Sequence, residues 1–181
     1  MSDEVLSLLS LIKTVAVRKS ESGFTLASGR RSNLYVDLRR VTQDPNGINL
    51  IGRIVLSKIR EVAPGAECVG GLETGSIPIA TAVALLSAGD SPRQLSAFWV
   101  RKKPKDHGME NLIEGNLKPG AIIVDDTVTT GGSSLQAAQA VRAAGSKVLQ
   151  AIAIVDRGAA QAFEDEKIPY FYFYGEADLL D

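Results

Sequence analysis

One segment of the chain combines an apolar run, two acids and a glycine-rich loop, and it runs Ile122-Ile123-Val124-Asp125-Asp126-Thr127-Val128-Thr129-Thr130-Gly131-Gly132-Ser133-Ser134. The β-branched residues at 122–124 predict a strand that is buried on both faces. The alanine-rich run at 136–144 predicts a helix after the loop. This part of the chain therefore predicts a strand, a loop and a helix in direct succession, with the loop placed to bind a ligand.

The loop itself has the composition of a phosphate site. Gly131 and Gly132 allow the backbone to turn sharply and to bring its N–H groups close to an anion. The hydroxyls of Thr129, Thr130 and Ser133 add donors at the start of the predicted helix. A phosphate bound here would be held mainly by neutral dipoles.

The two acids require a different partner. Asp125 and Asp126, at the predicted end of the strand, would repel a phosphate, so they are expected to face a metal or a ribose rich in hydroxyls. A phosphate site beside a diol site indicates a sugar phosphate as the ligand.

Two common nucleotide motifs do not fit these residues. A P-loop requires a Lys-Ser/Thr pair after its last glycine, whereas Ser133 and Ser134 follow Gly132. A dinucleotide fingerprint requires three spaced glycines, which neither this loop nor residues 70–75 supply. A plain acidic turn with a glycine bend remains the structural alternative.

Length and composition describe an ordinary globular chain. The 181 residues, 19.2 kDa, suit one domain over residues 1–181. The net charge of −1 gives no overall attraction to nucleic acid or to an anionic membrane, so neither is expected as a partner. The single cysteine, Cys68, excludes an internal disulfide, and its neighbours Val69 and Gly70 favour a buried strand position.

The first residues favour a cytoplasmic protein. Asp3 and Glu4 are acidic where an export signal would be basic. Apolar residues then recur at helical spacing, at Val5, Leu8 and Ile12, which predicts an amphipathic helix. No apolar run approaches the ~20 residues of a membrane span.

Strands and helices alternate along the rest of the chain. Strands are predicted at 24–26, 34–38, 67–70, 97–100, 122–124, 148–155 and 170–174, and the first two form a hairpin around the turn 28–33. Helices are predicted after Asp44-Pro45, ending at Pro64-Gly65, and at 77–88 and 136–144. This order indicates an α/β fold with a central, mainly parallel sheet flanked by helices. Ligands then bind at the carboxyl ends of the strands.

A basic loop follows the strand at 97–100. The segment 101–120 has little apolar periodicity and is far longer than the usual ~4 to 6 residues, which is typical of functional loops. Its first eight residues, Arg101-Lys102-Lys103-Pro104-Lys105-Asp106-His107-Gly108, hold four cations and the only histidine. Such a loop suits a highly anionic ligand, although a solvated surface loop or a nucleic-acid patch has the same composition.

The segment 122–134 resembles the phosphoribosyl pyrophosphate (PRPP) motif of type I phosphoribosyltransferases. The basic loop is similar to the Arg-Lys-x-x-Lys-Asp-His-Gly loop of the orotate phosphoribosyltransferase family. Residues 24–32 resemble the family's N-terminal motif near the base, and Asp156-Arg157-Gly158 resembles its orotate-binding segment. The resemblance implies a type I phosphoribosyltransferase fold, with a small N-terminal hood of about residues 1–40 over the base site.

The resemblance also implies site residues. Asp125 and Asp126 contact the ribose hydroxyls, and residues 129–133 hold the 5′-phosphate. The implied PRPP-binding residues are Arg101, Lys102, Lys105, His107, Asp125, Asp126, Thr127, Val128, Thr129, Thr130, Gly131, Gly132 and Ser133. Thr129 and Arg157 bind orotate, Arg157 through a forked contact to the carboxylate, for which a salt bridge closing the strand end is the alternative. The implied catalytic residues are Lys105, His107, Lys102, Arg101 and Asp126.

The implied reaction is transfer of 5-phosphoribosyl from PRPP to orotate in pyrimidine biosynthesis, giving orotidine 5′-monophosphate and pyrophosphate. Mg²⁺ is held mainly by substrate oxygens, without protein ligands. The enzyme is expected to be a homodimer with loop 101–118 shared between subunits. A phosphoribosyltransferase for another base, such as a purine, and a PRPP-sensing regulator without catalysis are the alternatives.

Two positions depart from the family pattern. Many members carry lysine where Ala27 stands and lysine near Gly75. Anion binding in this chain must therefore depend more on Lys102, Lys103 and Lys105, and on Arg30 or Arg31. Residues 71–78 would receive pyrophosphate on backbone N–H groups, and a plain strand-to-helix turn is the alternative there.

Overall fold

The computed structural model describes residues 3–25, 31–89, 94–103 and 112–180, without the side chains of residues 21, 22, 25, 31 and 32. The strands are β1 Val17–Thr25, β2 Arg31–Val36, β3 Cys68–Gly70, β4 Ser96–Val100, β5 Ile113–Gly115, β6 Gly120–Val128, β7 Lys147–Asp156 and β8 Tyr170–Gly175. The helices are α1 Asp3–Val15, α2 Arg39–Thr42, α3 Pro45–Val62, α4 Ser76–Ser87, α5 Gly132–Ala143, α6 Ala160–Asp165 and α7 Glu176–Leu180. Within these ranges, no helix combines the length and the apolar character that a membrane crossing requires.

The central sheet has six strands in the order β5-β4-β3-β6-β7-β8. All neighbouring strands are parallel except β5, which runs antiparallel to β4 at the edge. The predicted mainly parallel sheet is therefore confirmed. Strand β5 lies inside the segment 101–120, which was expected to be a loop. The sequence did not predict this strand because three residues are too few to show a strand period and because its pairing depends on β4.

Helices cover both faces of the sheet, and the side chains of β6 alternate between them. Ile122 and Val124 pack on the face covered by α1, α3 and α4. Ile123 packs on the opposite face, against residues of α5 and α6. This alternation is what a strand buried on both sides requires, and it explains the continuous apolar run in the sequence.

Strand β6 is longer than the sequence suggested. It was predicted at 122–124, but it continues to Val128, so Asp125 and Asp126 lie within the strand rather than after it. The parallel ladder to β7 causes this extension, with Asp125 opposite Ala153 and Thr127 opposite Val155. Helix α5 begins at Gly132, earlier than the predicted 136.

The N-terminal hairpin forms a separate two-stranded antiparallel sheet of β1 and β2. The predicted hairpin is thus present, although β1 begins at Val17 rather than at 24 and β2 runs over Arg31–Val36 rather than over 34–38. Residues 26–30 lie outside the described residues. The predicted start of α3 is also correct, since Asp44 Oδ1 accepts hydrogen bonds from Asn46 N at 3.0 Å and Gly47 N at 2.8 Å. The buried position predicted for Cys68 is confirmed.

Candidate active site

Four loops meet along one edge of the central sheet. They follow the parallel, adjacent strands β4, β3, β6 and β7, so their starting points lie side by side. The backbone joins them directly: Val100 N donates to Gly71 O at 2.8 Å, and Glu73 N donates to Val100 O at 2.9 Å. Arg157 N donates to Val128 O at 2.8 Å. This edge therefore holds the acids, the glycine loop, the start of the basic loop and Arg157.

The predicted phosphate loop has the geometry that an anion requires. Gly131 has φ of 81°, in the left-handed region that favours glycine, and it caps the start of α5 without a side-chain hydrogen bond. The first N–H groups of this 12-residue helix therefore donate to no side chain at the N-cap. Thr130 and Ser133 are exposed beside them, and Thr129 is half-buried. Backbone donors and hydroxyls thus lie together, as predicted from the sequence.

The acid pair is held by short hydrogen bonds. Asp125 is buried, and its two carboxylate oxygens accept from Ser134 Oγ at 2.9 Å and from Asp126 N at 3.0 Å. Asp126 is half-buried and accepts from Thr127 N at 2.7 Å. Burial, together with the neighbouring charge of Asp126, raises the pKa of Asp125 to about 7. Burial also raises the pKa of Asp126, so the pair resists carrying two negative charges.

This pKa predicts a measurable effect on stability. An unfolded aspartate has a pKa of about 4, so between about pH 4 and 7 the folded state binds more protons at Asp125, and the contribution of Asp125 to stability falls as pH rises. Asp125→Asn removes this loss, and Ser134 can reverse its hydrogen bond to accept from the new amide. The melting temperature of the variant should exceed that of the unaltered protein by ~4 °C at pH 8 and match it near pH 4. Parallel melting curves across this pH range would contradict the argument.

The loop after β3 packs against the acids without space for a side chain. A Cβ atom on Gly75 would lie 2.6 Å from Asp126 Oδ1 and 3.2 Å from Asp125 Oδ1. A Cβ atom on Gly71 would lie 2.3 Å from Val124 O. Glycine at position 75 therefore lets the loop backbone approach the acid pair. A lysine at this position would displace Asp126 and break its bond to Thr127 N.

The structure describes residues 101–103 and 112–120 of the basic loop. Arg101 N donates to Leu112 O at 2.8 Å, which closes the base of the loop. Lys102 N donates to Glu73 Oε1 at 2.8 Å, so the loop that follows β3 holds the loop that follows β4. Lys105, Asp106, His107 and Gly108 lie outside the described residues, as do Ala27 and Arg30, and the side chain of Arg31 is also not described. The roles assigned to Lys105 and His107 stay predictions.

Arg157 follows β7 at the same edge and its side chain is 7% exposed. Its Nε donates to Glu176 Oε2 at 3.0 Å, and its Nη2 donates to Leu34 O at 3.4 Å. The salt bridge that was the alternative for Arg157 is therefore present. Its contact to orotate stays a prediction.

Three residues near the site were given no role from the sequence. Glu73 holds the backbone of the basic loop, and Glu176 holds Arg157. Arg39, at the start of α2, donates to Asp37 Oδ1 at 2.7 Å, and its charge opposes the rise that burial causes in the pKa of Asp126. The sequence signal for Arg39 is weak, a basic pair with Arg40 directly after a predicted strand.

Comparison with known proteins gives a consistent result. No family model matches the chain. The chain is 44% identical over 164 residues to the orotate phosphoribosyltransferase of Rhodopirellula baltica, covering 86% of this chain and 83% of that protein. It is 42% identical over 178 residues to the orotate phosphoribosyltransferase of Aquifex aeolicus, covering 96% of each. Orotate phosphoribosyltransferase of Mycobacterium tuberculosis in complex with PRPP matches with a TM-score of 0.76 and 36% identity, covering 98% of this chain and 99% of that one.

Proposed function

The chain belongs to the orotate phosphoribosyltransferase family, and from this we propose that it transfers 5-phosphoribosyl from PRPP to N1 of orotate. The products are orotidine 5′-monophosphate and pyrophosphate, in pyrimidine biosynthesis. The predicted type I phosphoribosyltransferase fold is confirmed by the solved structures of this family. The observation that carries the proposal is the acid pair beside an uncapped helix start, with Arg157 on the adjacent strand end.

Different residues of this edge bind different parts of the PRPP molecule. The N–H groups at the start of α5, with Thr129, Thr130 and Ser133, receive the 5′-phosphate. Asp125 and Asp126 accept hydrogen bonds from the ribose hydroxyls. This carboxyl pair resists full ionisation. A hydroxyl is therefore a better partner for it than a phosphate, because the hydroxyl brings no negative charge. The sugar is thereby fixed with its reacting carbon above the sheet edge.

Departure of pyrophosphate is the step that needs most help from the protein. Negative charge grows on the leaving group while the ribose carbon becomes cation-like, so donors that are already in place stabilise this transition state. Arg101, Lys102 and Lys105 supply positive charge, and His107 donates a hydrogen bond or proton to pyrophosphate. No protein nucleophile takes part. The role of Glu73 is to hold Lys102 by its backbone where pyrophosphate leaves.

Mg²⁺ fits the oxygen atoms that the substrates and the acid pair bring to this edge. Because it prefers oxygen ligands and retains several waters, it would be held mainly by substrate oxygens, with Asp125 and Asp126 as the carboxylates of this edge. When bound, it offsets the charge that the leaving pyrophosphate gains. Among the described residues, no group of three or more His, Cys, Asp or Glu side chains is arranged to hold a metal ion.

Base choice separates this proposal from a purine phosphoribosyltransferase. Purified protein is supplied with PRPP, Mg²⁺ and one base at a time: orotate, uracil, adenine or hypoxanthine. We expect release of pyrophosphate to be far faster with orotate than with any other base in the set, and slower when Mg²⁺ is removed. Pyrophosphate release with adenine or hypoxanthine would favour the purine enzyme, and PRPP binding without release for any base would favour a sensor.

We further propose that the protein is a cytoplasmic homodimer of single-domain subunits, residues 1–181, with loop 101–118 acting on the neighbouring site. The exposed leucines of α4 support a partner surface, since Leu85 is 74% exposed. The N-terminal segment, about residues 1–40, forms the hood over the base. Its support is the contact of Lys19 Nζ with Leu180 O at 2.7 Å and of Leu34 O with Arg157, which attach the hairpin beside Arg157.

Shared loops predict complementation between two variants that are each nearly inactive when orotate is supplied at a concentration well below the KM of Arg157→Ala. A dimer of one Lys105→Ala subunit and one Arg157→Ala subunit keeps one complete site if Lys105 acts on the partner's orotate. Mixing the two variants after unfolding and refolding them together should restore about a quarter of the normal activity, because random pairing makes half of the dimers mixed. Activity that stays at the level of the separate variants would show that each loop serves its own subunit.

A further inference from the structure

The side chain of Arg157 is held by two elements besides its own strand. Glu176, the first residue of α7, accepts from Nε at 3.0 Å. The carbonyl of Leu34, in hairpin strand β2, accepts from Nη2 at 3.4 Å. Arg157 is 7% exposed and Glu176 is 40% exposed, so the ion pair lies at the border of the protein interior. The guanidinium is therefore placed by contacts from distant parts of the chain.

The backbone at Arg157 is fixed independently of this ion pair. The carboxylate of Asp156 accepts from Gly158 N at 2.9 Å, from Ala159 N at 3.1 Å and from Tyr170 Oη at 2.8 Å. Gly158, with φ of 106°, allows the sharp turn after β7. Because these bonds set only the backbone, the direction of the long Arg157 side chain requires a further contact.

Glu176 is itself held in place to make that contact. Gly175 lies opposite Asp156 in the parallel ladder, so Arg157 and Glu176 both follow paired strand ends. Asp178 Oδ2 accepts from Gly175 N at 2.7 Å, and Leu179 is buried in the core. These contacts fix the backbone at the start of α7, from which the Glu176 side chain reaches Arg157.

We propose that Glu176 is the positioning residue of the base site, which orients the Arg157 guanidinium for a substrate carboxylate. The inference rests on the proposed function, in which Arg157 binds orotate. A contact at Nε fixes the rotation of the guanidinium plane, and a planar fork recognises a carboxylate only when its plane is aligned with it. Ordering this side chain before orotate arrives lowers the entropy lost on binding.

The opposite role for Glu176 predicts the opposite result. If Glu176 merely occupied Arg157 as a competitor of orotate, its removal would tighten orotate binding. If it orients Arg157, its removal weakens orotate binding. The sign of the change in the KM for orotate therefore distinguishes the two roles.

The test compares Glu176→Ala, Glu176→Gln and Glu67→Ala in the full-length enzyme. Glu176→Ala should raise the KM for orotate by about 10-fold and leave kcat and the KM for PRPP within about 2-fold, since only the base contact is disordered. Glu176→Gln keeps an oxygen that accepts from Nε, so its KM should rise by only about 3-fold. Glu67→Ala is the matched glutamate control, because Glu67 is exposed and directly precedes β3, at the opposite edge of the sheet from Arg157, and it should leave the KM for orotate unchanged.

An unchanged or lower KM for orotate in folded Glu176→Ala would overturn the inference, as would an equal rise in Glu67→Ala. Should the alanine variant fail to fold, Glu176→Gln decides: a rise supports the inference, and no rise or a fall overturns it. Unaltered protein that consumes no orotate would refute the proposed function, and the inference with it. Active unaltered protein with no effect at Glu176 refutes the inference alone.

Discussion

Replacing Lys105 by alanine lowers turnover of orotate and PRPP by about 10²-fold or more, the loss expected when one preorganised donor to the developing charge is removed. The loop resemblance places Lys105 at the leaving pyrophosphate, where its charge acts in the transition state more than in the bound substrate. The fall should therefore appear in kcat rather than in the KM for orotate.

Initial rates at saturating PRPP and orotate measure this loss. Lys147→Ala is the matched control, because Lys147 is an exposed lysine at the first residue of β7, at the opposite end of that strand from Arg157. It should retain normal turnover. Near-normal kcat in Lys105→Ala would refute the assignment of the basic loop as catalytic.

Replacing Arg157 by alanine raises the KM for orotate by about 10²-fold, since a hydrogen bond to a charged group contributes roughly 1.5–3 kcal/mol and a forked contact contains two of them. Uracil lacks the carboxylate and is expected to be a much poorer substrate, so its kcat/KM should hardly change in the variant. The ratio of kcat/KM for orotate to that for uracil should therefore fall by a similar factor. Arg157→Lys should recover little, because a point charge does not fork onto a carboxylate.

The ion pair to Glu176 calls for a control in this experiment. Arg157→Ala leaves Glu176 without this partner, and the remaining carboxylate would repel orotate. The double variant Arg157→Ala/Glu176→Ala removes that repulsion. Its KM should fall only slightly below that of the single variant, since Glu176 is 40% exposed and water screens its charge. A return to the normal KM would show that repulsion, rather than the lost fork, causes the effect.

The sequence predicted the parts of the fold that depend on local pattern. The run at 122–124 and the glycines at 131 and 132 have one consistent structural interpretation, because buried parallel strands and sharp turns restrict residue types strongly. The extension of β6 through Asp125 and Asp126 could not be predicted in this way. It depends on the ladder to β7, whose register is a property of the folded sheet.

Contacts between residues that are distant in the chain could not be predicted from the sequence for the same reason. Glu176 reaches Arg157 only because Gly175 pairs with Asp156, and Glu73 reaches Lys102 only because β3 lies beside β4. Gly75 is a related case. No pattern in the sequence explained glycine at this position, whereas in the structure a Cβ atom there would lie 2.6 Å from Asp126 Oδ1.

The most direct test of the proposed reaction is the absorbance of orotate over time in purified protein with PRPP and Mg²⁺, together with the pyrophosphate released. The account predicts that orotate disappears only when PRPP is present, with one pyrophosphate formed for each orotate consumed. Orotate that stays constant while PRPP binds would contradict it.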